Sequence, residues 1–252
     1  MSEKNAKKIT ALSPPWQTPS NVRAFSTTRQ GGFSVAPYTS FNLGHHVGDD
    51  QTAVQNNRIL LTEQLGLPQF PLFLNQVHST KIIRLPYHGT DMNADAVYTD
   101  QKNQVCLVMT ADCLPVLFTN TQGNEVAAVH AGWRGLCDGI LEQTVQCFKS
   151  SPQTLKVWLG PAIGPTAFQV GQDVVDQFVL QDPRAIAAFT PDSTTQGKYF
   201  ANLYLLATQR LHKLGITQII GGEHCTYLEQ DDFFSYRRDG ITGRMASLIW
   251  FE

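Results

Sequence analysis

Apolar positions recur along the chain in two rhythms, and together they predict a mixed α/β protein. Residues 22–28 (VRAFSTT), 77–85, 104–110 (QVCLVMT), 114–119 and 125–130 (EVAAVH) read as strands. Several of these are apolar at most positions, the pattern of a strand buried on both faces. Residues 155–159 (LKVWL), 217–221 and 245–251 continue the set. Helical spacing is found at Val54, Leu61 and Leu65 within 51–65, with Gly66 as a stop. It recurs at Cys137, Ile140, Leu141, Val145 and Phe148 within 136–148. A third helix, 202–214, carries Leu203, Leu206, Ala207, Leu211 and Leu214 on one face and ends at Gly215. Strands and helices are mixed without strict strand–helix–strand order. The predicted fold is α/β (α+β), a single-domain layered sandwich of mixed β-sheets and helices. No repeat, low-complexity tract or linker divides it. The proline-containing stretch 13–19 marks residues 1–19 as a mobile N-terminal segment, which leaves 20–252 as the domain.

Composition narrows the possible functions. Nineteen Lys and Arg against twenty-one Asp and Glu give a net charge of −2, so there is no general basic footprint for nucleic acid. The N-terminus, MSEKNAKKITALSPPWQ, has charge but no apolar core of the secretory type. Apolar runs such as 105–109 are far too short to span a bilayer. A cytoplasmic protein with no membrane partner is expected. The five cysteines are odd in number, irregularly spaced and free of any CxxC, which argues against a disulfide framework. Cys106 and Cys147 fall in core patterns, which leaves a thiol available for chemistry.

Among the seven histidines, His88 and His212 read as incidental. His45 and His46 are adjacent, so their side chains diverge. His78 and His130 differ from these, because each borders a buried-looking segment beside a polar or glycine-rich sequence. Between them lies Thr110-Ala111-Asp112-Cys113, again directly after a buried strand. Three strand-end loops thus offer His78, Cys113 and His130. Imidazole and thiolate suit zinc, and three protein ligands leave a fourth position open for catalysis. Spacing alone leaves this open, since long separations are compatible with many geometries. The HAGWRGL segment is a second candidate. Gly132 and Gly135 permit close backbone approach, and Arg134 adds charge where a helix starts, which reads either as an anion site or as a tight turn. Arg29-Gln30-Gly31-Gly32 has the same ingredients, and Arg237-Arg238-Asp239-Gly240 is a third cationic turn or a plain hairpin tip with an ion pair.

The chain resembles the bacterial laccase-domain family, also described as multicopper polyphenol oxidoreductases and as purine nucleoside phosphorylases. The resemblance rests on FSTTRQGGFS (25–34), SFNLGHHVGDD (40–50), FLNQVH (73–78), ADAVYTD (94–100), MTADCLPVLF (109–118), AAVHAGWRGL (127–136), WLGPAIGP (158–165) and FFSYRRDGITGRMASLIW (233–250). These segments run in family order and cover nearly all of the chain past residue 20. The resemblance implies a metal site of His78, Cys113 and His130. It implies a sandwich of mixed sheets flanked by helices, distantly like the catalytic domain of cytotoxic necrotizing factors. It also implies phosphorolysis of adenosine, inosine, guanosine and methylthioadenosine, with adenosine deamination. A peptidoglycan-editing role on a nucleotide-linked muramyl precursor is a further implied activity.

Residue chemistry can then be set against these implications. Multicopper oxidation needs many histidines, usually in His-x-His pairs, and this chain has none. Zinc is therefore the expected cofactor, with copper able to occupy the same ligands in vitro. Purine nucleosides and inorganic phosphate are the expected partners. Arg29 and Arg134 are expected to hold phosphate. Asn42 and Gln76 are expected to bond the ribose or purine. Asp112, beside Cys113, either orients a ligand and moves a proton or simply caps a turn. Three alternatives remain open. The chain is an amidase, with Cys113 either as nucleophile and His78 or His130 as its base, or as a ligand of a zinc that runs the hydrolysis. Copper in the His/Cys site gives weak polyphenol oxidation. His224 or Cys225 closes a purely structural zinc shell in an interaction module.

Overall fold

Strands that are apolar on both faces must be covered on both faces, and the architecture follows from that need. A computed structural model describes residues 7–252. The first elements are β1 (Ala11–Leu12), β2 (Val22–Thr27), α1 (Gln51–Gln64), β3 (Ile82–Arg84), β4 (Ala96–Thr99) and β5 (Cys106–Thr110). Next come β6 (Leu114–Asn120), β7 (Val126–Ala131), α2 (Trp133–Asp138), α3 (Ile140–Cys147), β8 (Leu155–Leu159), β9 (Gln169–Gly171) and α4 (Gln172–Gln181). The chain ends with β10 (Phe189–Pro191), β11 (Lys198–Ala201), α5 (Leu203–Lys213), β12 (Gln218–Gly221), α6 (Tyr236–Asp239) and β13 (Met245–Phe251).

Two main sheets stack face to face. One has six strands in the order β12-β8-β6-β7-β4-β3, parallel at both outer pairs and antiparallel between. The other has four antiparallel strands in the order β1-β2-β13-β5. A small sheet, β10-β11-β9, lies outside them. Alternate side chains assign each strand to two cores. From β6, Leu114, Val116 and Phe118 pack with α2 to α5, while Leu117 faces the four-stranded sheet. From β5, Cys106 and Val108 meet the six-stranded sheet, while Leu107 and Met109 pack on the outer side with Leu61 of α1. The result is a helix–sheet–sheet–helix sandwich, the mixed layered fold expected. No helix among the described residues is long and apolar enough to cross a membrane.

Three details depart from the expected elements. Only Ile82–Arg84 of 77–85 is a strand, because the amides before it bond to a side chain rather than to a ladder. The predicted helix 136–148 is two helices that meet at Gly139, whose φ of 99° no right-handed helix accommodates. The Arg237–Gly240 turn is the one-turn helix α6, although the expected Arg238–Asp239 ion pair is present at 2.8 Å. Residues 11–12 of the N-terminal segment pair with β2, and Ile9 is buried. Its first part, residues 1–6, lies outside the described residues.

The break at Gly139 provides a local test of the fold. An added Cβ there meets nothing closer than 3.5 Å, so the penalty for Gly139→Ala is almost wholly backbone strain. The substitution is expected to cost about 1–2 kcal/mol. That corresponds to a fall in Tm of roughly 2–8 °C, read by circular dichroism.

Candidate metal centre

The β5–β6 turn carries the chain from the four-stranded sheet to the six-stranded one, and Cys113 sits at its end. Asp112 makes the turn with a φ of 90°. His130 lies inside β7 rather than past its end. His78 sits in a loop ahead of β3, with a φ of 61°. One donor atom from each of His78, Cys113 and His130 lies within 4.8 Å of the other two. Donors around a single zinc stand about 3.5 Å apart, given bonds of roughly 2.0–2.3 Å. The two imidazoles meet edge to face, with centroids 4.9 Å apart. Gly132 fills the space behind them, since a Cβ there would lie 2.5 Å from His78 Nδ1 and 3.2 Å from Cys113 Sγ.

Asp95, which the sequence reading passed over, organises this cluster. The β4–β7 register pairs Ala96 with Val129, which brings residue 95 opposite His130. There the His130 N–H donates to the Asp95 carbonyl at 2.7 Å. The Asp95 carboxylate is fully buried and accepts His130 Nδ1–H at 2.8 Å. It also accepts the amides of Val77, His78 and Ser79 at 3.3, 3.0 and 2.6 Å, and Ser79 Oγ at 2.8 Å. This acid therefore fixes the tautomer of one ligand and the backbone of the other. Burial pulls the Asp95 pKa up, yet the bonds from His130 and Ser79 hold it below its ordinary value. Burial likewise pulls His130 down, but the Cys113 sulfur and Asp95 outweigh it and raise its pKa to about 9. His78 is lowered, first by burial and then by the charge of His130.

The cluster opens into a cavity of about 490 Å³, within the usual range for a small-molecule site. Arg134, Arg237 and Arg244 line it together with Trp133, Phe168 and Tyr236. Arg134 stacks on Trp133, with its guanidinium carbon 4.5 Å from the ring centroid. A profile of the family described as multi-copper polyphenol oxidoreductase laccase matches residues 23–252. The chain belongs to that family. It is 64% identical over 242 residues to a purine nucleoside phosphorylase of Haemophilus influenzae, covering 96% of this chain and 99% of the relative. It is 52% identical over 240 residues to the purine nucleoside phosphorylase YfiH of Escherichia coli, covering 94% and 97%. Among solved structures, a Neisseria meningitidis protein superposes with a TM-score of 0.90 at 49% identity, covering 96% of this chain and 99% of that one. YlmD of Geobacillus stearothermophilus gives 0.80 at 31% identity, covering 98% and 99%.

The remaining expected site residues divide. Arg134 and Gln76 line the cavity. Gln76 also exchanges two bonds of 2.7 Å with the backbone of Met109, so its amide extends the free edge of β5. Arg29 does not join the site. It lines a separate surface cleft, with its guanidinium bonded to the carbonyls of Thr39 and Gln230 at 3.0 Å each. Asn42 is fully buried, and its amide is taken by Gly44, Asp49 and Arg244, which leaves it no access to a nucleoside. Asp112 lines the cavity, but its oxygens accept Thr226 Oγ1 and the Arg237 amide, both at 2.7 Å, the capping role. His224 pairs with Glu229 at 2.8 Å, and Cys225 Sγ accepts the Gly164 amide at 3.2 Å, so neither closes the metal shell. The cavity also draws on His46 and Arg244, which spacing did not single out.

Three outcomes are expected. Gly132→Ala places a methyl against two donors, so the variant should fold yet lose its metal, as read by elemental analysis and melting curves. Metal binding must also displace the proton that His130 holds up to about pH 9. Affinity, titrated against a competing chelator, should therefore rise by about tenfold per pH unit below pH 9 and flatten above it. Asp95→Asn leaves the Cys113 sulfur but removes the second group that raises His130, so flattening should begin at lower pH, with affinity at the plateau reduced by about 10- to 100-fold.

Proposed function

We propose that this chain is a zinc-dependent purine nucleoside phosphorylase that also deaminates adenosine. The observation that carries this reading is the His78–Cys113–His130 cluster opening into a cavity lined by arginines and aromatic side chains. The names of relatives at 47–64% identity support the same reaction class. The donors suit zinc in number and softness, and three of them leave a coordination position for a reactant. A bound zinc supplies Lewis acidity toward a phosphate or water oxygen.

The chain's own residues supply the rest. Asp95 holds the Nδ1 proton of His130, so Nε2 is the nitrogen left for the cluster. Trp133, Phe168 and Tyr236 offer ring faces of the kind on which a purine stacks. Arg134 supplies positive charge beside His78 for an anionic reactant. In phosphorolysis a phosphate oxygen bonds to the anomeric carbon. The carbon–nitrogen bond breaks with its electron pair going to the purine, which takes up the proton that the hydrogen phosphate gives up. The family description evokes copper oxidation, but among the described residues only one cluster has metal-ligand geometry. One such site falls short of the several coppers that oxidase chemistry needs.

A second reading is favoured by one observation. Without metal, Cys113, His130 and Asp95 line up as nucleophile, base and orienting acid, and the sulfur and the acid together raise His130 to about 9. That arrangement suits an amidase acting on a muramyl–amino-acid precursor.

Inosine with phosphate, and adenosine with water, should both turn over on protein whose zinc content has been measured. Cys113→Ala, His130→Ala and chelation should each reduce turnover by at least about a hundredfold. Turnover that survives all three would exclude the zinc reading. Activity that resists chelators but is lost on thiol alkylation, on an amide substrate, would establish the amidase instead.

A further inference from the structure

Arg244 is held by a device that no other cavity arginine shares. Its amide donates to Oδ1 of the buried Asn42 at 2.9 Å, and its carbonyl accepts the Leu43 amide at 3.1 Å. The same Asn42 oxygen accepts the Gly44 amide at 2.9 Å, and Asn42 Nδ2 donates to the Asp49 carboxylate at 2.9 Å. Two stretches of chain some 200 residues apart are thereby clamped. The aliphatic stem crosses Gly44 so closely that a Cβ there would lie 2.8 Å from Arg244 Cγ. Nη1 donates to the carbonyls of Thr242 and Gly243 at 3.1 and 3.0 Å. Among the described residues no acceptor takes Nε or Nη2, although the side chain lines the cavity. Asp112, the carboxylate that acts on it through space, already accepts Thr226 and the Arg237 amide.

The other two cavity arginines are placed differently. Arg134 is solvent-exposed and lies over Trp133. Arg237 spends Nη1 on the Gln169 carbonyl at 2.9 Å. Among the described residues Arg237 leaves its Nε/Nη2 edge free as well, but it is exposed, whereas Arg244 is half-buried and presents a pre-oriented, charged fork where the Cys113 sulfur and Asp112 act on it through space. A guanidinium edge with two free N–H groups matches two oxygens of a tetrahedral anion, and fixing it beforehand lowers the entropy cost of binding. A neutral nucleoside has no comparable group.

Resting on the phosphorolysis reading, we propose that Arg244 is the phosphate-binding residue of the site. Its free Nε/Nη2 edge receives two oxygens of inorganic phosphate, and a third is left to bond to the anomeric carbon as the purine departs. Arg244 thus takes the role that sequence spacing gave to Arg29, and Asn42 is the residue that positions it.

The test is steady-state kinetics on metal-loaded protein with inosine and phosphate varied independently. Arg244→Met, which keeps the stem and loses the charge, should raise KM for phosphate by about 10- to 100-fold. KM for inosine should change by less than about twofold. Arg244→Lys, which keeps charge but not the fork, should fall between the two. Gly44→Ala, which displaces the stem, should shift the same constant in the same direction. Equal rises in both KM values, or no rise, in variants with wild-type metal content and melting temperature would overturn the assignment. If the wild-type protein shows no phosphate-dependent turnover, the phosphorolysis reading fails, and calorimetric titration with inorganic phosphate decides Arg244 separately. Binding that is lost in Arg244→Met upholds the anion site. Absence of binding to wild-type protein at millimolar phosphate removes it.

Discussion

The site depends on one buried carboxylate. Asp95 is sealed from water, so its charge must be met by donors within the protein. Five groups meet it, three from the 77–79 backbone and two from side chains. Wrapping three consecutive amides around one acid forces the loop into a sharp turn, and His78 takes a positive φ at its centre. Backbone strain of that kind costs about 1–3 kcal/mol. A single charge-assisted hydrogen bond contributes about as much, so the turn is sustained. The same acid orients His130, and two ligands from distant parts of the chain therefore share one anchor.

The layered fold explains why the ligands meet where they do. Cys113 ends the turn that passes from one main sheet to the other. His130 comes from the six-stranded sheet, and Arg244 directly precedes β13 of the four-stranded one. The cavity thus lies where both sheets contribute, with their shared apolar core behind it. A rigid strand holds one imidazole, the sulfur ends the turn just ahead of β6, and loops pinned by buried side chains hold the rest. Asn42 illustrates the second device, since its amide ties the Arg244 backbone to the 42–49 loop.

Periodicity made most of this scaffold legible. Strands such as 106–110 and 126–131 show apolar character at nearly every position because two cores flank them. Helix α5 has its apolar stripe, and Gly215 follows it as read. What escaped was whatever depends on partners distant in sequence. Asp95 looks like any acid ahead of a strand until the β4–β7 register sets it opposite His130. Arg29 and Arg134 look alike, each an arginine near glycines after a strand, yet one faces a surface cleft and the other the cavity. In sequence alone a neutral amide suits a ligand as well as the backbone, whereas Asn42 and Gln76 chiefly satisfy backbone. Short elements such as β9, β10 and β11 span three or four residues, too few for any rhythm to register.

Charge separates the chemistries that such a cluster could host. A polyphenol is neutral near pH 7 and gains little from guanidinium groups, yet three of them line this cavity. One of the three is partly desolvated and clamped in place, an arrangement that is unfavourable unless an anion completes it. A divalent ion held by one thiolate and two neutral imidazoles would add further positive charge. The field inside the cavity therefore selects for a small anion beside a ring that can stack, and the pairing of phosphate with a purine nucleoside satisfies both demands. An uncharged amide would satisfy neither. The amidase arrangement of Cys113, His130 and Asp95 would need its substrate to bring an anionic group of its own, as a nucleotide-linked precursor does.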